Sequence, residues 1–439
     1  MNNNVLIIAH DYPPFAGGGV MRIHKFVRYF PEYNIVPVVL TINEKYYQSI
    51  DESLLNEYLQ PPDIHRTMTI DLKKIYLYFK KRKNKIQTSE IIGIESSSKF
   101  SKICEWIASL IFIPDYKILW LPFALSKALQ LIDQKKIKNI ITTAPPHSTN
   151  IIGLLIKLIL PEIRWIADFR DTWTENEVYN YPLKIIKKIE EFLELKTLQY
   201  ADYIVCATDS VKNSFVEKYK LSESKFKVIT NGFDEADFNF SDKKIYIQPE
   251  TKILNIVYSG SLNDWRNLSN FCGALKKLEI EKKIDLTKLH IQLCGHIPAF
   301  EHRRIKKLKL QNVFEFINLE PHKESIKRLI AADLLLLIIG EKEGTVVLTG
   351  KLFEYIGAAR PIFAVVPKNG EAEKLITQNN FGIVADTSSL DDISEKFLKI
   401  YNLFFENNAE LNFNRNIEIR KKFTRKLLTK KIADIINAK

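Results

Sequence analysis

At 439 residues, with 46% hydrophobic and 26% charged side chains, the chain is too long for one ordinary core, and its composition is that of a folded protein with two or three domains. Sixty-four Lys and Arg against 52 Asp and Glu give a formal net charge of +12, which points to an anionic partner: nucleotide phosphates, an acidic membrane surface or nucleic acid. The four cysteines, Cys104, Cys206, Cys272 and Cys294, are scattered without a Cys-x-x-Cys pair, which argues against a disulfide framework or structural zinc and suits a reducing cytosol. The opening Met1-Asn2-Asn3-Asn4 lacks the basic region of a signal peptide. No run reaches the ~20 apolar residues that span a bilayer. The longest, residues 151–160, contains Lys157 and reads as a buried helix.

Residues 5–9 are an apolar, branched run closed by His10-Asp11-Tyr12-Pro13-Pro14, the pattern of a buried parallel strand. Gly17-Gly18-Gly19 follow, and helical spacing begins at Met21. Strand, glycine loop and helix open an α/β unit. Similar runs at 36–40, 139–142, 165–167 and 203–207, with helical stretches between them, predict a mostly parallel sheet with helices on both faces. After a polar stretch over 233–252, a second series predicts strands at 254–258, 290–294, 313–316, 334–339, 362–366 and 383–385. The expected organisation is therefore two successive doubly wound Rossmann-like α/β domains, 1–240 and 250–405, joined near 240–252. The tail over 415–439 carries nine Lys or Arg and two acids and predicts one basic amphipathic helix; the segment 406–439 is expected to pack back toward the first domain.

One stretch of the first domain differs from its surroundings. Residues 73–85 hold seven basic residues and no acid around Ile75-Tyr76-Leu77-Tyr78-Phe79; residues 106–113 are almost wholly apolar, and Trp120 follows. A basic, aromatic element too short to span fits an anionic bilayer surface; a solvated loop followed by a core helix fits as well.

The sharpest chemical pattern is Gly350-Lys351-Leu352-Phe353-Glu354-Tyr355, followed by Arg360-Pro361-Ile362. Gly350 opens a helix whose first-turn N–H groups are unpaired, and Lys351 adds a full charge there, a natural setting for a diphosphate. Glu354, about one turn on, is spaced to accept hydrogen bonds from two ribose hydroxyls. Residue types alone leave an ordinary helix start open.

This segment resembles the donor-site helix of the family-4 retaining glycosyltransferases, which have the GT-B fold. Four other segments resemble that family in the same order: Thr143-Ala144-Pro145-Pro146-His147-Ser148; Trp165-Ile166-Ala167-Asp168-Phe169-Arg170-Asp171-Thr172-Trp173; Val228-Ile229-Thr230-Asn231-Gly232-Phe233-Asp234; and Tyr258-Ser259-Gly260-Ser261 with Arg266 beyond. Two departures stand out. The family's first glutamate falls on Val346, with Glu343 as the alternative carboxylate, and the lysine beyond its phosphate arginine is missing from Asn270-Phe271-Cys272.

The resemblance implies two Rossmann-like domains facing a central cleft. It implies an enzyme that moves a sugar, with retention, from a nucleoside-diphosphate sugar to a glycan acceptor, lipid-linked in bacterial surface-polysaccharide synthesis (lipopolysaccharide, O-antigen or capsule). Arg266, Lys351, His147 and Asp168 form the expected catalytic set. Donor contacts fall on Gly17, Gly18 and Gly19 after the first strand, and on Gly260, Gly350, Leu352 and Glu354 with Arg266 and Lys351. Arg170, Asp171 and His147 are placed on the acceptor side. With no Asp-x-Asp motif at the expected place, neither metal nor other cofactor is expected. No nucleic-acid-binding motif accompanies the charge. The expected location is the cytoplasm, peripheral to the inner membrane. A GT-B nucleotide-sugar epimerase, and a non-catalytic GT-B subunit supported by Val346, remain open beside this reading.

Overall fold

The computed structural model describes residues 3–15, 19–47, 50–58, 61–70, 110, 112–175, 181, 183–238, 253–318, 320–406, 413 and 417–438. Gly17 and Gly18, residues 71–109 of the basic and aromatic stretch, Cys104, and the joint over 239–252 lie outside them. The chain divides into two compact units, Met1–Ile229 with Thr429–Lys439, and Thr230–Leu428.

The first unit is built on β1 (Asn3–Ile8), β2 (Ile35–Ile42), β3 (Asp63–Thr67), β4 (Asn139–Ala144), β5 (Arg164–Phe169), β6 (Tyr203–Cys206) and β7 (Phe226–Val228). These pair in parallel in the order β3-β2-β1-β4-β5-β6-β7. The apolar runs read from the sequence are its central strands, and both of their faces are buried. Leu6, Ile8, Ile140, Trp165 and Ala167 pack on one side, while Val5, Ile7, Ile141 and Ile166 bury the other. The edges β3 and β7 escaped the pattern because β3 reads Asp-Ile-His-Arg-Thr and β7 has only three residues.

The second unit has β8 (Leu254–Ser259), β9 (Leu289–Cys294), β10 (Phe314–Ile317), β11 (Leu334–Ile338), β12 (Ile362–Val366) and β13 (Gly382–Asp386). They too are parallel, in the order β10-β9-β8-β11-β12-β13. Alternation splits the strands between two cores. Leu254, Ile256, Leu334, Leu336 and Phe363 face helices Ser269–Ile280 and Leu390–Glu406; Val257, Leu335, Leu337 and Ala364 face the helices on the other side, including Gly350–Ala358.

The tail corrects one expectation. It is two helices, Ile417–Lys421 and Arg425–Asn437, not one. The break falls where Phe233 takes over the backbone: its N–H donates to the Phe423 carbonyl at 3.0 Å, and its carbonyl accepts from Arg425 N at 2.7 Å.

Candidate functional site

In an open parallel sheet, ligands bind beyond the carboxyl ends of neighbouring strands whose connections leave in opposite directions. In the second unit those strands are β8 and β11; in the first they are β1 and β4. The loops that follow these four strands hold most of the residues singled out from the sequence.

In the second unit, Gly260 follows β8 at φ +129°, and Lys351, from the start of helix Gly350–Ala358, passes directly over it. A Cβ at position 260 would coincide with Lys351 Cε and Nζ, so Gly260 is needed both for its dihedral and for its missing side chain. The Lys351 ammonium lies 4.8 Å from the centre of the Tyr258 ring and 3.2 Å from its hydroxyl. No carboxylate pairs with it among the described residues. Burial, with the Arg266 charge nearby, pushes the lysine down to about 7.

Arg266 closes a turn in which Asn263 Oδ1 accepts its N–H at 2.7 Å. Its guanidinium is paired with Glu343 through Nη2–Oε1 and through Nε–Oε2 at 2.9 Å. Glu343 also accepts the Gly340 N–H at 2.9 Å. The carboxylate that was the alternative to the one missing at Val346 is thus occupied by Arg266.

Helix Gly350–Ala358 begins without a side-chain cap, since the Thr349 side chain makes no bond to it and its Oγ1 is buried without a partner. Nothing would meet a Cβ on Gly350 within 4 Å, so the helix start is open. Glu354 stays partly exposed, with His322 Nε2 3.2 Å from its Oε1. Leu352 departs from its expected role. Its side chain is fully buried in the core and its N–H donates to the Thr349 carbonyl, so it anchors the helix instead of touching a donor. Two tyrosines were missed by sequence reasoning because they read as core: Tyr258 carries Lys351, and Tyr355 accepts the Ser259 N–H at 3.0 Å while donating to the Leu336 carbonyl at 3.1 Å.

In the first unit, a small recess opens beyond β1 and β4, lined by His10, Asp11, Gly19, Thr143, Pro145 and Arg170 among others. Arg170 binds three backbone carbonyls, Gly19 (2.5 Å), Ala144 (3.3 Å) and Pro145, and so fastens the loops after β1 and β4 to β5. A Cβ on Gly19 would strike this guanidinium. Asp11 lies between His10 Nδ1 (2.6 Å) and Lys117 Nζ (2.8 Å), a cluster whose lysine gave no sequence signal.

Asp168 is a correction. It is fully buried, paired with the equally buried Arg22 (Nη2–Oδ1 2.8 Å), and accepts from Thr143 Oγ1 at 2.9 Å. It has no surface with which to touch substrate. Its neighbour Asp171 remains partly exposed with no hydrogen-bond partner among the described residues, and burial pushes its carboxyl up. His147 is buried and stacked on Trp173, with ring centres 4.6 Å apart and an interplanar angle of 6°. Burial, assisted by the Arg170 charge, pushes the imidazole down to about 3, so it is neutral near pH 7.

Comparison with known proteins agrees with this architecture. Residues 95–237 match the model of Glycosyltransferase Family 4. No curated protein sequence matches the chain. Among solved structures, the chain is similar to a glycosyltransferase from Rickettsia africae (16% identity, 99% of each chain covered, TM-score 0.62). It is also similar to Anabaena Alr3699/HepE in complex with UDP (14%, 99% of each, 0.65) and to WaaG, a glycosyltransferase involved in lipopolysaccharide biosynthesis (13%, 99% of this chain and 100% of that one, 0.58). The two parallel sheets are those of the GT-B fold.

Proposed function

We propose that this GT-B chain, a family-4 glycosyltransferase by its family-model match and its fold, moves a sugar from a nucleoside-diphosphate donor to a glycan acceptor, with retention and without a metal. The observation that carries the donor assignment is the convergence of Lys351 and Arg266 on Tyr258 beside the uncapped start of helix Gly350–Ala358. An acceptor hydroxyl replaces the diphosphate on the anomeric carbon, and the leaving phosphates gain negative charge. Two cations and a row of N–H groups fixed in advance around that charge are the kind of catalyst that costs no reorganisation during the reaction. Glu354 is assigned to the ribose hydroxyls. Arg170 sets the loops of the first unit's recess, and Asp171 is its acceptor-side carboxylate.

UDP bound to the similar Anabaena protein, and the lipopolysaccharide role of WaaG, support a nucleotide sugar as donor and a surface glycan as acceptor. The basic, aromatic sequence over 73–85 supports peripheral attachment to an anionic membrane that presents a lipid-linked acceptor. No helix of the described residues is long and apolar enough to cross a membrane.

A screen of nucleotide sugars for thermal stabilisation tests the donor assignment, because a ligand bound only by the folded state raises its melting temperature. The matching donor should stabilise the parent but not Lys351→Ala, and weaker stabilisation is expected for Glu354→Gln. Turnover unaffected by a chelator is the result expected for metal independence. Equal stabilisation of parent and Lys351→Ala would remove the donor site proposed here.

A further inference from the structure

Helix Lys184–Tyr200 packs on the core through Ile186 and Leu198, yet it buries acids there and leaves an apolar stripe outside. Its carboxylates point inward: Glu190 is 8% exposed and Glu194 fully buried, with Thr197 beside them. Three of its apolar side chains point outward at i, i+4 and i+7, with Ile185 57%, Ile189 39% and Phe192 58% exposed, while Ile186 and Leu198 stay in the core. This orientation is fixed from within. Glu194 accepts from Thr174 N (3.0 Å), Thr174 Oγ1 (2.5 Å), Tyr219 OH (2.5 Å) and Lys218 Nζ (3.2 Å). Glu190 accepts from Trp173 Nε1 (2.9 Å) and Tyr181 OH (3.3 Å). Rotating the helix to bury Ile185 and Phe192 would tear these buried carboxylates from their donors, which costs far more than leaving three apolar side chains in water.

The charges on the outward face have one sign. Lys184, Lys188 and Lys196 follow the apolar stripe at helical spacing, and none is paired with a carboxylate among the described residues. Lys196 Nζ instead lies 5.5 Å from the centre of the Phe192 ring and donates to Gln199 Oε1 at 3.2 Å. The helix's one partly exposed acid, Glu191, sits at the margin, 3.8 Å from Lys187. A stripe of Ile and Phe flanked by unpaired lysines, about 18 Å long from Lys184 to Lys196 at 1.5 Å per residue, is the pattern of a helix lying in a membrane interface. A second copy is the poorer occupant, because a two-fold contact would set these lysine rows against each other.

We propose that the outward face of helix Lys184–Tyr200 docks on a bilayer carrying anionic lipid, with Ile185, Ile189 and Phe192 in the headgroup region and Lys184, Lys188 and Lys196 on lipid phosphates. The proposal rests on the peripheral attachment proposed above, but places it on a helix separate from residues 73–85. The test is co-sedimentation of the full chain at low salt with vesicles of phosphatidylcholine alone or mixed with phosphatidylglycerol. The parent should partition onto the mixed vesicles only. The triple variants Ile185→Ser/Ile189→Ser/Phe192→Ser and Lys184→Ser/Lys188→Ser/Lys196→Ser should each lower that partition by about tenfold, with melting temperatures unchanged because the replaced side chains lie at the surface.

In a Cys104→Ser background, an environment-sensitive dye on Ile189→Cys should shift to the blue on mixed vesicles only. Parent binding that both triple variants retain, and that replacing Lys80, Lys81, Arg82 and Lys83 with Ser abolishes, overturns this proposal and leaves peripheral attachment standing. No binding by the parent overturns both. Sedimentation velocity showing a dimer that the Ile/Phe variant dissociates would make the face a subunit contact and overturn the lipid assignment.

Discussion

Arg266 is held by Glu343 in a two-pronged pair, Nε to Oε2 at 2.9 Å with Nη2 on Oε1, the geometry in which a guanidinium also grips a phosphate. In the donor-free protein the carboxylate therefore stands where the diphosphate's oxygens are expected. Nucleotide binding has to displace it. Glu343→Gln should bind a nucleoside diphosphate about threefold to tenfold more tightly in calorimetry, since it removes a competing charge-assisted pair of the kind worth about 1.5–3 kcal/mol when intact. Arg266→Ala should slow transfer by at least ~100-fold, the scale for losing one charge-stabilising donor. Weaker binding by Glu343→Gln would instead assign this carboxylate to the donor sugar, in the role left vacant at Val346.

Lys351 ties donor binding to pH. Burial holds it near 7 in the free protein, so above that pH most molecules carry it neutral. A bound diphosphate favours the charged form and raises the lysine, so binding takes up a proton between pH 7 and 9. Affinity for a nucleotide sugar should fall as pH rises through that window, by up to tenfold per unit. Calorimetry in two buffers of different ionisation enthalpy measures the uptake directly. Gly260→Ala, whose Cβ displaces the lysine, should bind weakly at every pH and lose the proton uptake. An affinity flat from pH 6 to 9 in the parent would contradict the assignment.

The central strands were legible because a buried parallel strand is a continuous apolar run, and Leu334–Ile338 can hardly be read otherwise. The helix at Gly350 was legible because a glycine beside Lys351 marks a helix start suited to an anion, and the turn at Gly260 because Tyr258-Ser259-Gly260-Ser261 resembles the family's first donor-domain loop. What stayed hidden were side chains whose meaning depends on a partner far along the chain. Arg22 sits on the inner face of helix Val20–Tyr29 and looks misplaced until Asp168, 146 residues away, is set against it. Trp173 reads as core, yet it carries His147 on its face and Glu190 on its indole N–H. The outward stripe of helix Lys184–Tyr200 is invisible to periodicity, because an apolar face with a 3.6-residue repeat is read as pointing inward.

The pairing of Asp168 with Arg22 separates a structural from a chemical role. Asp168→Asn leaves a buried guanidinium without its counter-charge, a change that costs about 3–5 kcal/mol when one partner of a buried pair is removed. The urea midpoint should fall accordingly. Asp168→Leu combined with Arg22→Met, which removes both charges, should recover much of the loss. Transfer by the double variant, measured well below its melting temperature, should approach that of the parent. A double variant that is stable but inactive would restore Asp168 to the catalytic set.

Glu190 gives stability a pH dependence of unusual sign. Its carboxyl is pushed up to about 7, chiefly by burial, against 4.5 for an ordinary glutamate. Between those two values the folded protein holds a proton that the unfolded chain releases, so stability from this group falls as pH rises from 4.5 to 7 and is lost above it. Paired carboxylates such as Glu57, which His24 and Lys25 hold near 2, act in the opposite direction and lose their contribution only in acid. Glu190→Gln keeps an acceptor for the Trp173 indole N–H at 2.9 Å and removes the charge that burial penalises. Its melting temperature should match the parent's at pH 5 and exceed it by about 2 °C at pH 8, a shift of the order expected from one or two kcal/mol in a chain of this size. Thermal melts of both proteins across pH 5 to 8 decide the matter. Parallel curves would mean that Glu190 is charged throughout, stabilised by the tryptophan and Tyr181 more than burial penalises it.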